Sequence, residues 1–136
     1  MAGRDVKTHR DLEVCALAFE LSQSIFQVSK RFPAEERYSL TDQVRRSSRS
    51  VTASIAEGWR KRRYAAAFIL KLNDAEAEAA ETQSRIEHAV KCGYRDRTEA
   101  AILYRSYDRL LRMLVAMITH HDKWVFPDRP TESKSR

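Results

Sequence analysis

The sequence predicts an all-α fold, an antiparallel up-down-up-down four-helix bundle, on the strength of three observations. Hydrophobic residues recur at steps of three and four along four segments, which is the spacing of an amphipathic helix. The chain of 136 residues contains only three glycines and three prolines, too few for the many turns of a sheet protein. The links between the segments are short, which favours antiparallel neighbours. A three-helix core with a peripheral first helix is the alternative arrangement.

The first predicted helix runs from about Asp11 to Phe32 and is ended by Pro33. Its main apolar stripe consists of Val14, Leu17, Ala18, Leu21, Ile25, Val28 and Phe32. A second apolar stripe, about 120° around the helix, contains Leu12, Cys15, Phe19 and Phe26. Two interpretations of the second stripe stay open. It widens the core face, or Phe19 and Phe26 form an oligomer interface with a neighbouring subunit.

The second predicted helix runs from near Leu40 to about Arg62, and residues 43–59 read QVRRSSRSVTASIAEGW. Its predicted buried side consists of Leu40, Val44, Val51, Ile55 and Trp59. Ser39 or Thr41 is expected to cap its start. We interpret Ser47, Ser48 and Ser54 as small residues at tight helix crossings, where serine can bond a carbonyl one turn back. Gly58 either permits close approach of another helix or begins a break.

The third and fourth predicted helices complete the bundle. The third, Ala65 to Cys92, is rich in alanine, and Gly93 is expected to stop it. The fourth starts after Thr98, a candidate cap, and ends around His121. Residues 1–123 are therefore predicted to form a single domain. The remainder, residues 124–136, contains two prolines and many polar residues, which predicts a flexible tail.

Positive charge is concentrated on the second helix. Residues 40–63 carry seven basic and two acidic side chains, giving +5 of the net charge of +6. On a helical wheel the arginines gather on the face opposite Val51 and Ile55, and this predicts a phosphate-binding site made of Arg45, Arg46, Arg49, Arg60, Lys61 and Arg63. The alternative is a solvated or subunit-pairing face, matched to acidic residues such as Glu76 and Glu78.

The sequence predicts no catalytic, metal or cofactor site. A nucleophilic serine needs a nearby base and an oxyanion hole, and the chain has no GxSxG motif. His120, His121 and Asp122 are adjacent, so on a helix they point about 100° apart and chelate poorly. The glutamates of the third helix lack the ExxH spacing of di-iron bundles. We therefore expect a protein that is not an enzyme.

Several single residues have a structural interpretation beside a functional one. Glu57 is expected to pair with Lys61 one turn on, or to accept hydrogen bonds at a helix junction beside Gly58. Trp59 and Trp124 are expected to pack against helix ends rather than stack on bases. The two cysteines, Cys15 and Cys92, are expected to be reduced and buried as small apolar groups.

The chain is expected to be cytoplasmic, without contact with a membrane. No apolar run approaches the roughly 18 residues that a membrane span needs. The first residues, MAGRDVKTHRD, are polar and charged and contain no hydrophobic signal segment.

Several motifs together resemble the 23S rRNA intervening-sequence protein family, also called the four-helix-bundle protein family. The chain has DLEV at 11–14, an FP-E-Y-L-Q-RR junction between Phe32 and Arg46, and IAEG at 55–58. It also has ETQ at 81–83 and CGY at 92–94. Cys15, Ser54 and Arg85 depart from the family's usual tryptophan, asparagine and aromatic residue.

The resemblance implies a four-helix protomer that assembles as a ring-shaped homopentamer. Genes of this family were first noticed inside intervening sequences of bacterial large-subunit ribosomal RNA. Related bundles act as accessory proteins of diversity-generating retroelements, where they bind nucleic acid and a reverse transcriptase. The family offers no catalytic residues to carry over.

These observations lead to two hypotheses of different class. In the first, the protein is a non-enzymatic oligomer that binds RNA or DNA backbone through the arginine-rich second helix, with contacts repeated around the ring. In the second, it is a homo-oligomeric scaffold for a protein partner, and the basic strip is paired between subunits. An enzyme is a distant third, which a deep pocket with a strongly perturbed acid or histidine would revive.

Overall fold

The structure is a computed structural model that describes residues 6–127, and within that range it consists of four α-helices joined by short links. The helices are α1 (Glu13–Ser29), α2 (Leu40–Arg60), α3 (Ala65–Lys91) and α4 (Arg97–Thr119). Short 3₁₀ turns lie at His9–Asp11, Ala34–Glu36 and His121–Lys123. Consecutive helices run antiparallel and pack side by side, and α1 also packs against α4, which closes the bundle. The predicted all-α four-helix bundle is confirmed.

The first helix belongs to the core. It packs against both α2 and α4, and Ile25 at its centre is fully buried. The alternative with a peripheral first helix is therefore wrong. Side chains from all four helices meet in one hydrophobic core, and the largest fully buried ones include Ile25, Val44, Val51, Ile55, Phe68, Leu72, Tyr107, Leu110 and Leu114.

The end of α3 is fixed by Gly93 and the start of α4 by Asp96. The sequence pattern identified only the first of these two residues. Gly93 has φ of +79°, and the Tyr94 N–H donates to the Ala89 carbonyl at 2.9 Å, so glycine stops α3 as predicted. The cap of α4 is Asp96, whose carboxylate accepts the Glu99 N–H at 3.2 Å. The prediction that Thr98 is the cap is wrong, because Thr98 already lies inside the helix.

The start of α2 is held by Glu36 from the preceding 3₁₀ turn. The Glu36 carboxylate accepts the Leu40 N–H at 3.2 Å and the Ser39 hydroxyl. Ser39 occupies the N-cap position, one of the two residues predicted, but its hydroxyl bonds Glu36 and makes no capping bond to α2. Thr41 lies inside the helix. The other Glu36 oxygen accepts the Tyr94 hydroxyl at 2.8 Å, which ties the α1–α2 link to the α3–α4 link at one end of the bundle.

The α2 and α3 helices approach closely because their facing residues are small. A Cβ atom on Gly58 would lie 3.3 Å from Lys71 Cβ, which is tighter than ordinary packing. The Ser47 and Thr82 hydroxyls are hydrogen-bonded across the same interface at 2.8 Å. Gly58 therefore permits close approach, one of the two roles predicted for it, and α2 continues through it to Arg60.

Ordered packing extends beyond the predicted domain boundary at residue 123. The Trp124 ring meets Trp59 edge-on at 6.2 Å between centroids, and the Phe126 N–H donates to the Arg62 carbonyl at 2.9 Å. The rest of the predicted tail, residues 128–136, lies outside the described residues, as do residues 1–5.

The two cysteines differ in their exposure. Cys15 is buried, and burial raises the pKa of its thiol. Cys92 is exposed at the end of α3, so the prediction that it is buried is wrong.

None of the helices in residues 6–127 combines the length and apolar character that crossing a lipid bilayer requires.

Candidate nucleic-acid interface

The predicted basic residues lie on α2 and in the turn that follows it. Arg46, Arg49 and Arg60 are exposed on the helix, and Lys61 and Arg63 are exposed in the turn. Within residues 6–127, none of these five side chains forms an ion pair. Together with Arg45 they are called the basic face below. Within the described residues, most of its positive charge therefore lacks an ion-pair partner.

Arg45 differs from its neighbours because it is bound to α1. Its Nε donates a hydrogen bond of 2.7 Å to the Ser29 hydroxyl, and its guanidinium carbon lies 4.7 Å from the centroid of the Phe26 ring. The Arg49 guanidinium is 5.7 Å from the same centroid, and Lys30 Nζ is 4.8 Å from it. Three cations thus surround one half-buried aromatic ring, at distances typical of cation–π contacts.

Phe19 lies on the same side of α1 as Phe26. The two residues are seven positions apart, which is almost two full turns of an α-helix. The Phe19 side chain is 57% exposed, and within the described residues it has no aromatic or cationic partner. The predicted oligomer-interface residues and two predicted phosphate-binding arginines therefore form one surface. We call Phe19, Phe26, Lys30, Arg45 and Arg49 the aromatic–basic surface.

The two acidic residues of α2 differ in their partners. Glu57 forms an ion pair of 2.8 Å with Lys71 on α3, and this contact lowers the pKa of the Glu57 carboxyl. The pair is across helices, so the prediction of an ion pair with Lys61 is wrong and the helix-junction alternative fits. Asp42 is exposed on the side of α2 that carries Arg49 and Arg60. Asp42 thus lies among the arginines and, unlike Glu57, forms no ion pair within residues 6–127.

Glu76 and Glu78, the acids suggested as partners of the basic face, make no ion pair with it inside the protomer. Glu78 faces Ser50 and Glu81, and its hydrogen bond with Glu81 raises the pKa of its carboxyl. Pairing of the basic face with acids from another subunit stays a prediction.

Arg62, at the end of the basic segment, stacks on the rings of Trp59 and Phe126. Its guanidinium carbon lies 3.4 Å from the centroid of the Trp59 ring and 4.7 Å from that of Phe126, and its Nε donates to the Trp59 carbonyl at 2.8 Å. Trp59 is 5% exposed. Both tryptophans therefore pack at a helix end as expected, and Trp59 offers no open ring to a base.

The serines of α2 are structural. Ser47, Ser48 and Ser54 are buried, and the Ser47 and Ser48 hydroxyls bond the carbonyls of Val44 and Arg45 one turn back. The half-buried His121 ring faces the Ile118 carbonyl. Residues 6–127 contain no group of three or more side chains placed to hold a metal ion.

Sequence reasoning missed the contacts that join helices at this site. The sequence predicts Phe26 in the core or at an interface, and it does not predict the contact of Phe26 with Lys30, Arg45 and Arg49. The available signal was the coincidence of an aromatic stripe on α1 with an arginine stripe on the next helix. The sequence does not show on which side of α1 the second helix packs. It therefore does not predict the contact of Phe26 with the arginines of α2.

The sequence model of the 23S rRNA-intervening sequence protein family matches residues 10–116, which covers all four helices except the last turn of α4. The chain belongs to this family. The match includes the basic helix and Phe19, Phe26 and Lys30.

A solved structure supports the same assignment. A protein of unknown function of the S23 ribosomal protein family from Bacteroides thetaiotaomicron superposes on this chain with a TM-score of 0.71 at 26% sequence identity. The alignment covers 78% of this chain and 95% of that one. The comparison with curated proteins gives no match.

Proposed function

We propose that this family member is a non-enzymatic, self-assembling helical bundle that binds the phosphate backbone of RNA or DNA through the basic face of α2. The observation that carries this function is that Arg46, Arg49 and Arg60 are exposed on α2 and make no ion pair within the described residues. An arginine held for stability alone is usually paired or packed, as Arg45 and Arg62 are. The free guanidiniums are available to phosphate oxygens.

The chemistry of the basic face suits a polyanion. Guanidinium groups spaced along one helix face can meet successive phosphates with paired N–H donors. Contacts to phosphate carry no sequence information, so binding is salt-dependent and weakly sequence-specific. Asp42 opposes binding at the start of the face, and Glu57 does not because it is paired with Lys71.

Self-assembly strengthens binding of this kind. We propose the ring-shaped homopentamer that the family resemblance implies, in which several copies of the basic face engage one nucleic acid and weak contacts add. Assembly through faces other than the basic face leaves the arginines of α2 open to solvent.

A matched pair of double variants tests the assignment. Arg46→Ala/Arg49→Ala removes two charges from the basic face, and Arg105→Ala/Arg112→Ala removes two exposed charges from α4. Fluorescence anisotropy with a labelled structured RNA at low salt is expected to show a loss of affinity of at least about tenfold for the first variant and little change for the second. Equal losses would show that only net charge matters, and no binding by the wild type would refute the function.

The second candidate function is the homo-oligomeric scaffold, and the exposure of Phe19 favours it. In that assembly Phe19 and Phe26 form the oligomer interface, and the arginines beside them are paired with acids of the next subunit. Sedimentation decides between the two: Phe19→Asp should convert the oligomer to a monomer of 15.8 kDa if the scaffold is correct. An oligomer unchanged by Phe19→Asp supports assembly through another face.

A further inference from the structure

We infer, building on the function proposed above, that the aromatic–basic surface selects single-stranded nucleic acid, with an unpaired base stacked on the open ring of Phe19. Single-strand binders combine cations that follow the backbone with aromatic rings on which bases stack. Phe19 supplies the ring, and Lys30 and Arg49, which are exposed beside the neighbouring Phe26, supply the cations.

The arrangement of the two rings assigns them different roles. Phe26 is half-buried and already in contact with three cations, so it positions the two exposed ones, Lys30 and Arg49, which would hold phosphates. Phe19 lies about 10 Å further along α1 and is 57% exposed. An exposed phenylalanine on a surface rich in cations fits a partner that carries both π-faces and negative charge.

Single strands fit this surface better than duplexes do. In a duplex the bases are stacked on each other and present only their edges in the grooves, whereas unpaired bases can be splayed out onto an aromatic side chain. The basic face alone would accept either form, because both expose phosphates. Phe19 is the feature that distinguishes them.

The test compares three probes of equal length: a labelled pyrimidine-rich RNA strand, the DNA strand of the same sequence, and a DNA duplex. Phe19→Ala is compared with Leu70→Ala, which truncates a side chain of similar exposure (59%) on α3. Sedimentation of each variant monitors assembly. Phe19→Trp, which keeps a stacking ring, serves as the conservative variant.

Phe19→Ala is expected to weaken single-strand binding by at least about fivefold, with duplex binding, the oligomer mass and the Leu70→Ala variant unchanged. Phe19→Trp is expected to retain single-strand binding. Equal effects on the RNA and DNA strands mean that the base alone is read, and an effect confined to RNA means that the ribose hydroxyl contributes; both support the inference.

Three results would overturn it. Single-strand binding unaffected by Phe19→Ala, with wild-type binding intact, removes the stacking role and leaves the phosphate-binding function standing. A Phe19→Ala variant that loses its oligomer mass together with the binding of all three probes assigns the ring to a contact between copies. Absence of binding by the wild type to any probe refutes the underlying function as well.

Discussion

The guanidinium of Arg45 on α2 lies over the ring of Phe26 on α1, with 4.7 Å between the guanidinium carbon and the ring centroid. The same guanidinium bonds Ser29 one turn further along α1. One arginine therefore joins two helices at the edge of a surface on which the exposed Arg49 makes no ion pair within the described residues. This separates the structural member of the basic face from the members available to a ligand.

Arg45→Ala is expected to destabilise the fold by about 1 kcal/mol, because it removes a charge-assisted hydrogen bond and a cation–π contact. Arg46→Ala, one residue along, is expected to change the free energy of unfolding by less than about 0.5 kcal/mol, since Arg46 is exposed and unpaired within the described residues. Urea unfolding followed by circular dichroism measures both. Equal effects of the two substitutions would contradict the distinction between them.

Gly58→Val is expected to destabilise the bundle by about 2 kcal/mol more than Ala53→Val, which places the same side chain on the exposed side of α2. The added carbons at Gly58 would press on Lys71 Cβ, 3.3 Å from the position of a Cβ. Valine costs below about 1 kcal/mol in helix propensity relative to alanine and is a better helix former than glycine, so a larger cost at Gly58 reports the contact with α3. Similar costs at both sites would show that α2 and α3 can separate to accept the side chain.

The Ser47–Thr82 hydrogen bond should appear as a coupling energy. A double-mutant cycle with Ser47→Ala and Thr82→Val is expected to give about 1 kcal/mol of interaction. Ser48→Ala is the control, because the Ser48 hydroxyl bonds a carbonyl of its own helix, and it should not couple to Thr82→Val. A coupling near zero in the first cycle would mean that the two hydroxyls do not depend on each other.

The sequence predicted the helices and their buried faces well, because periodicity along one segment depends only on that segment. It predicted the small residues Ser47 and Gly58 for the same reason. It did not predict that Glu57 pairs with Lys71 or that Arg45 covers Phe26. These contacts depend on the rotation and axial position of one helix relative to another, which no single segment encodes.

The helix caps also depend on geometry that the sequence pattern does not give, even where the candidate residues are close together in the chain. Thr98 and Asp96 both suit the start of α4, and only the position at which the chain turns decides between them. The start of α2 is fixed by Glu36, which is held from the far link by Tyr94. The Tyr94–Glu36 hydrogen bond joins residues distant in sequence, so the pattern of neither segment predicts it.

Glu36 should titrate below the ordinary glutamate pKa of about 4.3, because hydrogen bonds from Ser39, Tyr94 and the Leu40 N–H favour its charged form. A carboxyl that is more acidic in the folded state stabilises the fold above its unfolded pKa, and the contribution is lost as pH falls through the folded pKa. Glu36→Gln should therefore destabilise the protein at pH 7, and its deficit relative to the wild type should shrink in acid.

Carbon-13 NMR titration of the Glu36 carboxyl checks the cause. Ser39→Ala should raise its pKa most and Tyr94→Phe less, following the strengths of the two hydrogen bonds. The pKa of the Tyr94 hydroxyl, which its bond to Glu36 raises, should fall toward the ordinary value in Glu36→Gln. A Glu36 pKa unmoved by Tyr94→Phe would mean that the two links are not joined.

The salt dependence of binding tests the central claim most directly. For a single-stranded probe, the slope of log Kd against log salt concentration should become shallower by about 0.7 for each phosphate contact removed. The Arg46→Ala/Arg49→Ala/Arg60→Ala variant should therefore lose about 2 from the wild-type slope while its circular dichroism is unchanged. If the wild type binds and the triple variant binds with the same slope, the result contradicts the claim that the basic face of α2 contacts phosphate.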